Sequence, residues 1–289
     1  IIISAIIKNL IGARGFWSTD WPNRLVKYPV LCHFYRCFDI LCKSAKMTDS
    51  RRSNLFFMLF LMLMNNPAVA DGLRMDKTEI SIAAFAEFVA ATGMRTKAER
   101  DGGMVYEAGW VTKPGWNWRS PYGMSAAPDE PAVHITFDEA ASYCRWRGQR
   151  LPTRAEWIDA GYTERRRQPT AGFVTGSTYR YPTGDTPAGA HCLDDCAVPA
   201  GQPINPAYQK VLLRGAGHLP VGRTRDGFNG LFDMGANVWE WASLGDSQQQ
   251  ATLGGSWWYG ARQMQADYGA TKSRDMAAVY IGFRCITAP

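Results

Sequence analysis

Between Pro169 and Asn229 the chain runs for about sixty residues through glycines, prolines and short polar runs with no sustained hydrophobic periodicity. Such a stretch is too long for an ordinary connection, and loops of that size are functional or fastened by disulfides and metal. The fold is therefore expected to be loop-rich, with its regular elements confined to the flanks. On the N-terminal side, "TEISIAAFAEFVAAT" (residues 78–92) spaces Ile82, Phe85, Phe88 and Val89 helically, and Gly93 follows as a stop. "TFDEAASYCRWRG" pairs Thr136 with Glu139 as a capping box, and "RLPTRAEWIDAGY" places Thr153 as a cap with Trp157 facing inward. Between them, "YEAGWVTKPGWNWRSPYG" reads as turns and short strands. "GLFDMG", "LGGSWW" and "VYIGFRC" read as strands of a small sheet.

The first seventy residues follow a different logic. Arg51 and Arg52, the apolar run Leu55 to Met64 and the small residues Ala68 to Ala70 form the three parts of a secretory signal peptide over 47–70. Ten apolar residues are fewer than a bilayer-spanning helix needs, so a membrane anchor is the weaker alternative. Cleavage leaves Asp71 first, in a periplasmic protein with no stable membrane insertion. Residues 1–46 are then upstream sequence or a basic extension, and Cys32, Cys37 and Cys42 within them match no common metal spacing. Residues 71–289 suit one domain.

Charge supports this division. Of 32 Lys plus Arg and 26 Asp plus Glu, residues 1–70 hold 9 and 3, which leaves 23 of each in the remainder. A neutral domain gives no electrostatic argument for nucleic acid, and "RRR" at 165–167 reads as a solvated helix end. Four cysteines remain: Cys144, Cys192, Cys196 and Cys285. An even number in an exported chain suggests two disulfides, with Cys192 and Cys196 flanking a tight loop and Cys144 and Cys285 tying the middle to the C-terminus.

Two segments carry candidate chemistry. "NGLFDMGANVWEW" (229–241) offers carboxylates at Asp233 and Glu240 around turn-prone Gly235 and Asn237, an oxygen-rich pattern of the kind calcium takes, or else a structural turn with Trp239 and Trp241 in the core. "LGGSWWYGARQM" (253–264) bends at Gly254 and Gly255 and crowds Trp257, Trp258 and Tyr259 beside Arg262, as a site lining or as core filling. If the segment continues as a strand, neighbouring tryptophans face opposite ways, so only one of them lines a site.

These motifs, together with "PAVHITFDEAASYCRWRGQRLPTRAEWIDAGY" and "IGFRC", resemble in order and spacing the formylglycine-generating enzyme (sulfatase-modifying factor) superfamily. The resemblance implies an α+β, compact C-type-lectin-like variant with little regular secondary structure. It implies a structural calcium ion on the Asp233 and Glu240 side chains and the Ala236 and Val238 carbonyls, with Asn237 and Trp239 in the adjacent cleft. It also implies a Cys144–Cys285 bridge, whereas Cys192–Cys196 rests on proximity. A second family calcium site expects an asparagine where His191 stands. The two cysteines that bind Cu(I) in enzymes of this family fall on Tyr259 and Met264, so no copper is expected, because a phenol is a poor soft ligand. The histidine triad of the iron-dependent sulfoxide synthases is missing too, since His134, His191 and His218 show no HxxxH spacing.

The resemblance is nearest to exported members, the PvdO-like and NirV-like branches. One reading is an oxidative maturation enzyme acting on a peptide-derived small molecule, with Trp239, Ser256, Tyr259 and Arg262 in the cleft and Asp267 as a base. Another is a non-catalytic binding or assembly factor for a periplasmic protein such as nitrite reductase. A third is calcium-dependent carbohydrate binding, suggested by the fold alone.

Overall fold

The computed structural model describes residues 74–194, 196 and 205–287. The signal peptide, the 1–46 extension, the expected first residue Asp71 and Cys32, Cys37 and Cys42 lie outside the described residues. In chain order the elements are β1 (Arg74–Met75), α1 (Ile82–Thr92), α2 (Lys97–Asp101), β2 (Gly103–Tyr106), β3 (Trp110–Lys113), α3 (Phe137–Trp146) and α4 (Arg154–Tyr162). There follow α5 (Pro206–Gln209), β4 (Trp239–Ala242), β5 (Gln249–Leu253), β6 (Ala270–Ser273), β7 (Ile281–Gly282) and β8 (Ile286–Thr287). The architecture is α+β, and no described helix is long and apolar enough to cross a membrane.

Local chemistry sets the helix ends. Thr136 with Glu139 and Thr153 with Glu156 form reciprocal capping boxes that satisfy the first N–H groups of α3 and α4. α1 begins later than the periodicity from Thr78 implies. Ser81, in extended backbone, accepts from the Ala84 N–H and so fixes the start, and Gly93 ends the helix in the left-handed region.

A four-stranded sheet of order β6-β5-β4-β7 forms the floor of the molecule's C-terminal half. β4 pairs antiparallel with β5 (Glu240 opposite Leu253) and parallel with β7 (Trp239 opposite Ile281). β1 pairs with β8, and β2 with β3 as a hairpin. The main core joins α1, α3 and the chain end: Phe85 meets Phe88, Trp118, Tyr143 and Phe283 at ring distances of 5.1 to 6.2 Å. Full burial of each such ring contributes roughly 1.5–3 kcal/mol. The Cys144–Cys285 bridge fastens α3 to the C-terminal segment, and a second bridge joins Cys192 and Cys196.

Two sequence expectations change here. "GLFDMG" is not a strand: a turn spans Phe228–Gly230, and Asp233, Ala236 and Asn237 adopt positive φ, which breaks any ladder. The strand of "LGGSWW" ends at Leu253, because Gly254 and Gly255 turn at φ near 90° and 80°. A Cβ on Gly254 would lie 2.9 Å from the Met234 carbonyl oxygen, so only glycine fits. Strand alternation therefore does not apply to Trp257 and Trp258, and both are buried, edge to face at 5.2 Å.

The long irregular region is fastened by buried polar ties. Asn229 donates to the Ala160 and Thr163 carbonyls and accepts from the Arg165 N–H, closing the C-terminal end of α4. Arg166 pairs with buried Glu164 at 2.7 Å. Further along, Glu130 receives the Tyr208 hydroxyl and the His218 Nε2, while His218 Nδ1 meets the Tyr122 hydroxyl at 2.8 Å. These bonds replace the ladder that the sequence cannot form.

Candidate functional site

The site is built from β4, the turn after β5 and the segment leading into β7. β4 begins with Trp239, whose ring lies 5.7 Å from that of Tyr259 and 6.1 Å from that of Tyr268. The turn at Gly254 and Gly255 presents Tyr259, whose hydroxyl sits 3.2 Å from that of Tyr280. Burial pushes both phenols above their ordinary range, and the Arg214 guanidinium pulls each back in part. Arg214 lies over the Trp258 ring at 5.4 Å and donates to the Trp258 carbonyl. Trp239 Nε1 and Trp257 Nε1 are buried, and among the described residues neither has a hydrogen-bond partner.

The expected catalytic set is only partly assembled. Trp239 and Tyr259 come together. Ser256 is buried at the turn, where its carbonyl accepts from the Tyr259 N–H. Arg262 and Asp267 pair with each other at 2.7 Å on the surface, and the guanidinium sits over Tyr268 at 5.3 Å. Asp267 is thus the counter-ion of Arg262 and not a free base. Met264 is fully buried in a small cluster with Tyr181, Cys192, Cys196 and Ala261. The three histidines serve the fold: His134 bonds the Pro121 and Ala277 carbonyls, His191 bonds the Gly217 carbonyl, and burial holds both near pKa 4. Sequence reasoning did not single out Tyr280, Tyr268 or Arg214; of the three, only Tyr280 carried a signal, inside the closing motif "VYIGFRC".

Beneath this surface lies a buried charge cluster. Arg284 donates to both carboxylate oxygens of Glu240 at 2.7 Å and to the Asp76 and Phe232 carbonyls, and Trp157 Nε1 also reaches Glu240. Asp233 accepts from Thr224 and Gly222. Glu79, which the sequence did not flag, accepts from the Val238 N–H and from Asn237. Burial, and then repulsion from Asp233 and Glu240, push the Glu79 carboxyl well above its usual range. Three buried acids thus face one arginine.

The carbonyls of Ala236 and Val238 are buried and receive no hydrogen bond among the described residues. Orphan buried carbonyls suit a hard cation, and calcium here would share the Asp233 and Glu240 carboxylates with the donors they already hold. No three His, Cys, Asp or Glu side chains converge as a metal site among the described residues. An ion here would be held by carbonyls as much as by carboxylates, since Glu240 is already paired with Arg284.

The chain belongs to the family of the sulfatase-modifying factor enzyme 1-like domain, whose model matches residues 62–289. It is similar to the formylglycine-generating enzyme of Streptomyces coelicolor, 33% identical over 193 residues that cover 58% of this chain and 56% of that protein. It is also similar to that of Thermomonospora curvata, 31% identical over 223 residues, 68% of this chain and 62% of the relative. The chain thus spans less than two thirds of the length of either relative. The solved structure of PvdO from Pseudomonas aeruginosa superposes with a TM-score of 0.48 at 14% identity, covering 74% of this chain and 79% of that one.

Proposed function

We propose that the protein is an exported oxidative maturation enzyme that acts on a peptide-derived substrate at the Tyr259 surface, without a cysteine pair or copper. One observation carries the reading. Tyr259, which by the family resemblance stands in place of a copper-binding cysteine, is a half-buried phenol hydrogen-bonded to a second phenol and framed by Trp239, Tyr268 and Tyr280. Aromatic walls exclude water around a reacting group, and a phenol can give or take a proton there. Arg214 is the cation beside the phenol pair, so it can hold an anion that develops on the substrate. The overall change is a dehydrogenation: the substrate loses two electrons and two protons, and molecular oxygen takes them up as hydrogen peroxide.

Calcium belongs to the same proposal as a structural ion. Asp233, Glu240 and the Ala236 and Val238 carbonyls would hold it, and its charge would offset the buried acids; it takes no part in proton transfer. The test is oxygen uptake and product absorbance with a reduced siderophore precursor in air. Turnover lost in Tyr259→Phe and Arg214→Ala, with folding retained, supports the reading. Full turnover in both variants refutes it.

The second reading, a binding or assembly factor for a periplasmic metalloenzyme, is favoured by the exposed aromatics Tyr106 and Trp110 beside the site. A stable complex with nitrite reductase, without oxygen uptake, would select it.

A further inference from the structure

The hairpin of β2 and β3 has an unusual edge. β2 pairs with β3 so that Gly103 faces Lys113, Met104 faces Thr112, Val105 faces Val111 and Tyr106 faces Trp110. Met104 spends its backbone groups on the other side: its N–H donates to the Ala277 carbonyl and its carbonyl accepts from Val279. Antiparallel pairs alternate between bonded and non-bonded, so the bonded pairs are Gly103 with Lys113 and Val105 with Val111. The Glu107 N–H to Gly109 carbonyl bond at the turn has the same parity. It follows that the N–H and C=O groups of Trp110 and Thr112 point away from β2. No described residue bonds to them, and among the described residues the sheet has two strands.

Proteins usually cover or blunt such an edge. Here three of the four residues of β3 are exposed, among them Trp110 at 41% and Val111 at 37%. The Trp110 ring meets Tyr106 at 5.6 Å and the buried Tyr280 at 6.1 Å, so the free edge begins one ring away from the Tyr259–Tyr280 pair. A residue paired with Trp110 from outside would project its side chain on the Trp110 face, beside those phenols. The nearby cation is Arg214, and among the described residues no carboxylate is paired with it.

We propose that the open edge of β3 takes up an extended acidic peptide by strand addition, through the backbone of Trp110 and Thr112. This rests on the peptide-derived reading of the Tyr259 site and says how the peptide is held. Main-chain bonds supply sequence-independent affinity, Trp110 packs the neighbouring side chain, and Arg214 receives the carboxylate. The occupant is a peptide and not a flat apolar ligand, because the unpaired groups are backbone donors and acceptors in register.

The experiment uses the full chain and a fluorescein-labelled octapeptide with a central tyrosine flanked by aspartates, alongside the same peptide with asparagines. Hydrogen exchange of the Trp110 and Thr112 amides slows at least tenfold when the acidic peptide saturates the protein. Thr112→Pro removes an outward donor without touching the hairpin's own bonds; it weakens binding at least tenfold with an unchanged melting temperature. Arg214→Ala abolishes the preference for aspartate over asparagine, which serves as the check if the proline variant misfolds. Peptide binding that leaves both amides unprotected overturns strand addition while keeping a peptide site. Amides already protected without peptide, and released on dilution, assign the edge to a second copy and overturn the proposal. Turnover of a free small molecule without any peptide binding overturns the peptide reading as well.

Discussion

Replacing Arg284 by methionine tests the charge cluster most directly. The guanidinium is fully buried and donates to both oxygens of Glu240 and to the Asp76 and Phe232 carbonyls. Methionine fills part of the volume and leaves Glu240 with the Trp157 indole alone, beside Glu79 and Asp233. Removing one partner of a buried pair costs about 3–5 kcal/mol. Glu240→Gln is milder, about 1–2 kcal/mol, since Arg284 still faces Glu79 and Asp233 and the amide oxygen still accepts. The pair of effects is therefore unequal. pH adds a sign. Glu79 has a folded pKa above its unfolded one, so its stabilising contribution is complete below the unfolded value of about 4.3 and is lost as pH rises through the folded value. Arg284 lowers that folded value, so its removal shifts the loss upward and makes Arg284→Met less damaging at pH 5 than at pH 8. Urea unfolding followed by tryptophan fluorescence, in chelator at both pH values, measures all of this. A cost under about 1 kcal/mol for Arg284→Met, or a larger one for Glu240→Gln, refutes the reasoning.

Calcium raises the melting temperature of the wild type, by mass action worth about 2.7 kcal/mol at a hundredfold excess over Kd, and Asp233→Asn removes most of that shift; identical melting with calcium and with chelator rules the ion out. Cys144 and Cys285 are 141 residues apart and Cys192 and Cys196 only 4, so in the chain-entropy picture the double serine variants lose about 5 and about 2 kcal/mol respectively in urea titrations. Tyr259→Phe removes one hydroxyl contact with Tyr280, so stability falls by about 1 kcal/mol or less while oxygen uptake is lost. Met264→Leu, a volume-conserving core change, costs under about 1.5 kcal/mol and leaves uptake intact; loss of uptake would place the thioether in the chemistry.

What the sequence made legible was local. Thr136 with Glu139, and Thr153 ahead of Trp157, signal their helices within four residues, and the structure closes the first box and adds Glu156 to make a second. Cys144 and Cys285 were pairable because the motifs around them carry a resemblance, not because spacing demands it. The strand reading of "GLFDMG" failed for a physical reason: a run of apolar residues says nothing about φ, and Asp233, Ala236 and Asn237 are left-handed. The site's charge and aromatic partners were invisible for a different reason. Glu79 reaches Val238 from 159 positions away, and Tyr280 reaches Tyr259 from 21, so no window in the sequence contains either pair.

The same distinction separates the two positions that stand where copper-binding cysteines are expected. Met264 has no exposed surface and packs against Cys192, Cys196 and Tyr181, so its soft sulfur is core material. Tyr259 keeps surface, shares a hydrogen bond with Tyr280 and lies within the field of Arg214. These two side chains differ in exposure and in neighbours. The proposed oxygen chemistry therefore rests on residue 259 and not on 264, and the open β3 edge leads to residue 259 by way of Trp110 and Tyr280.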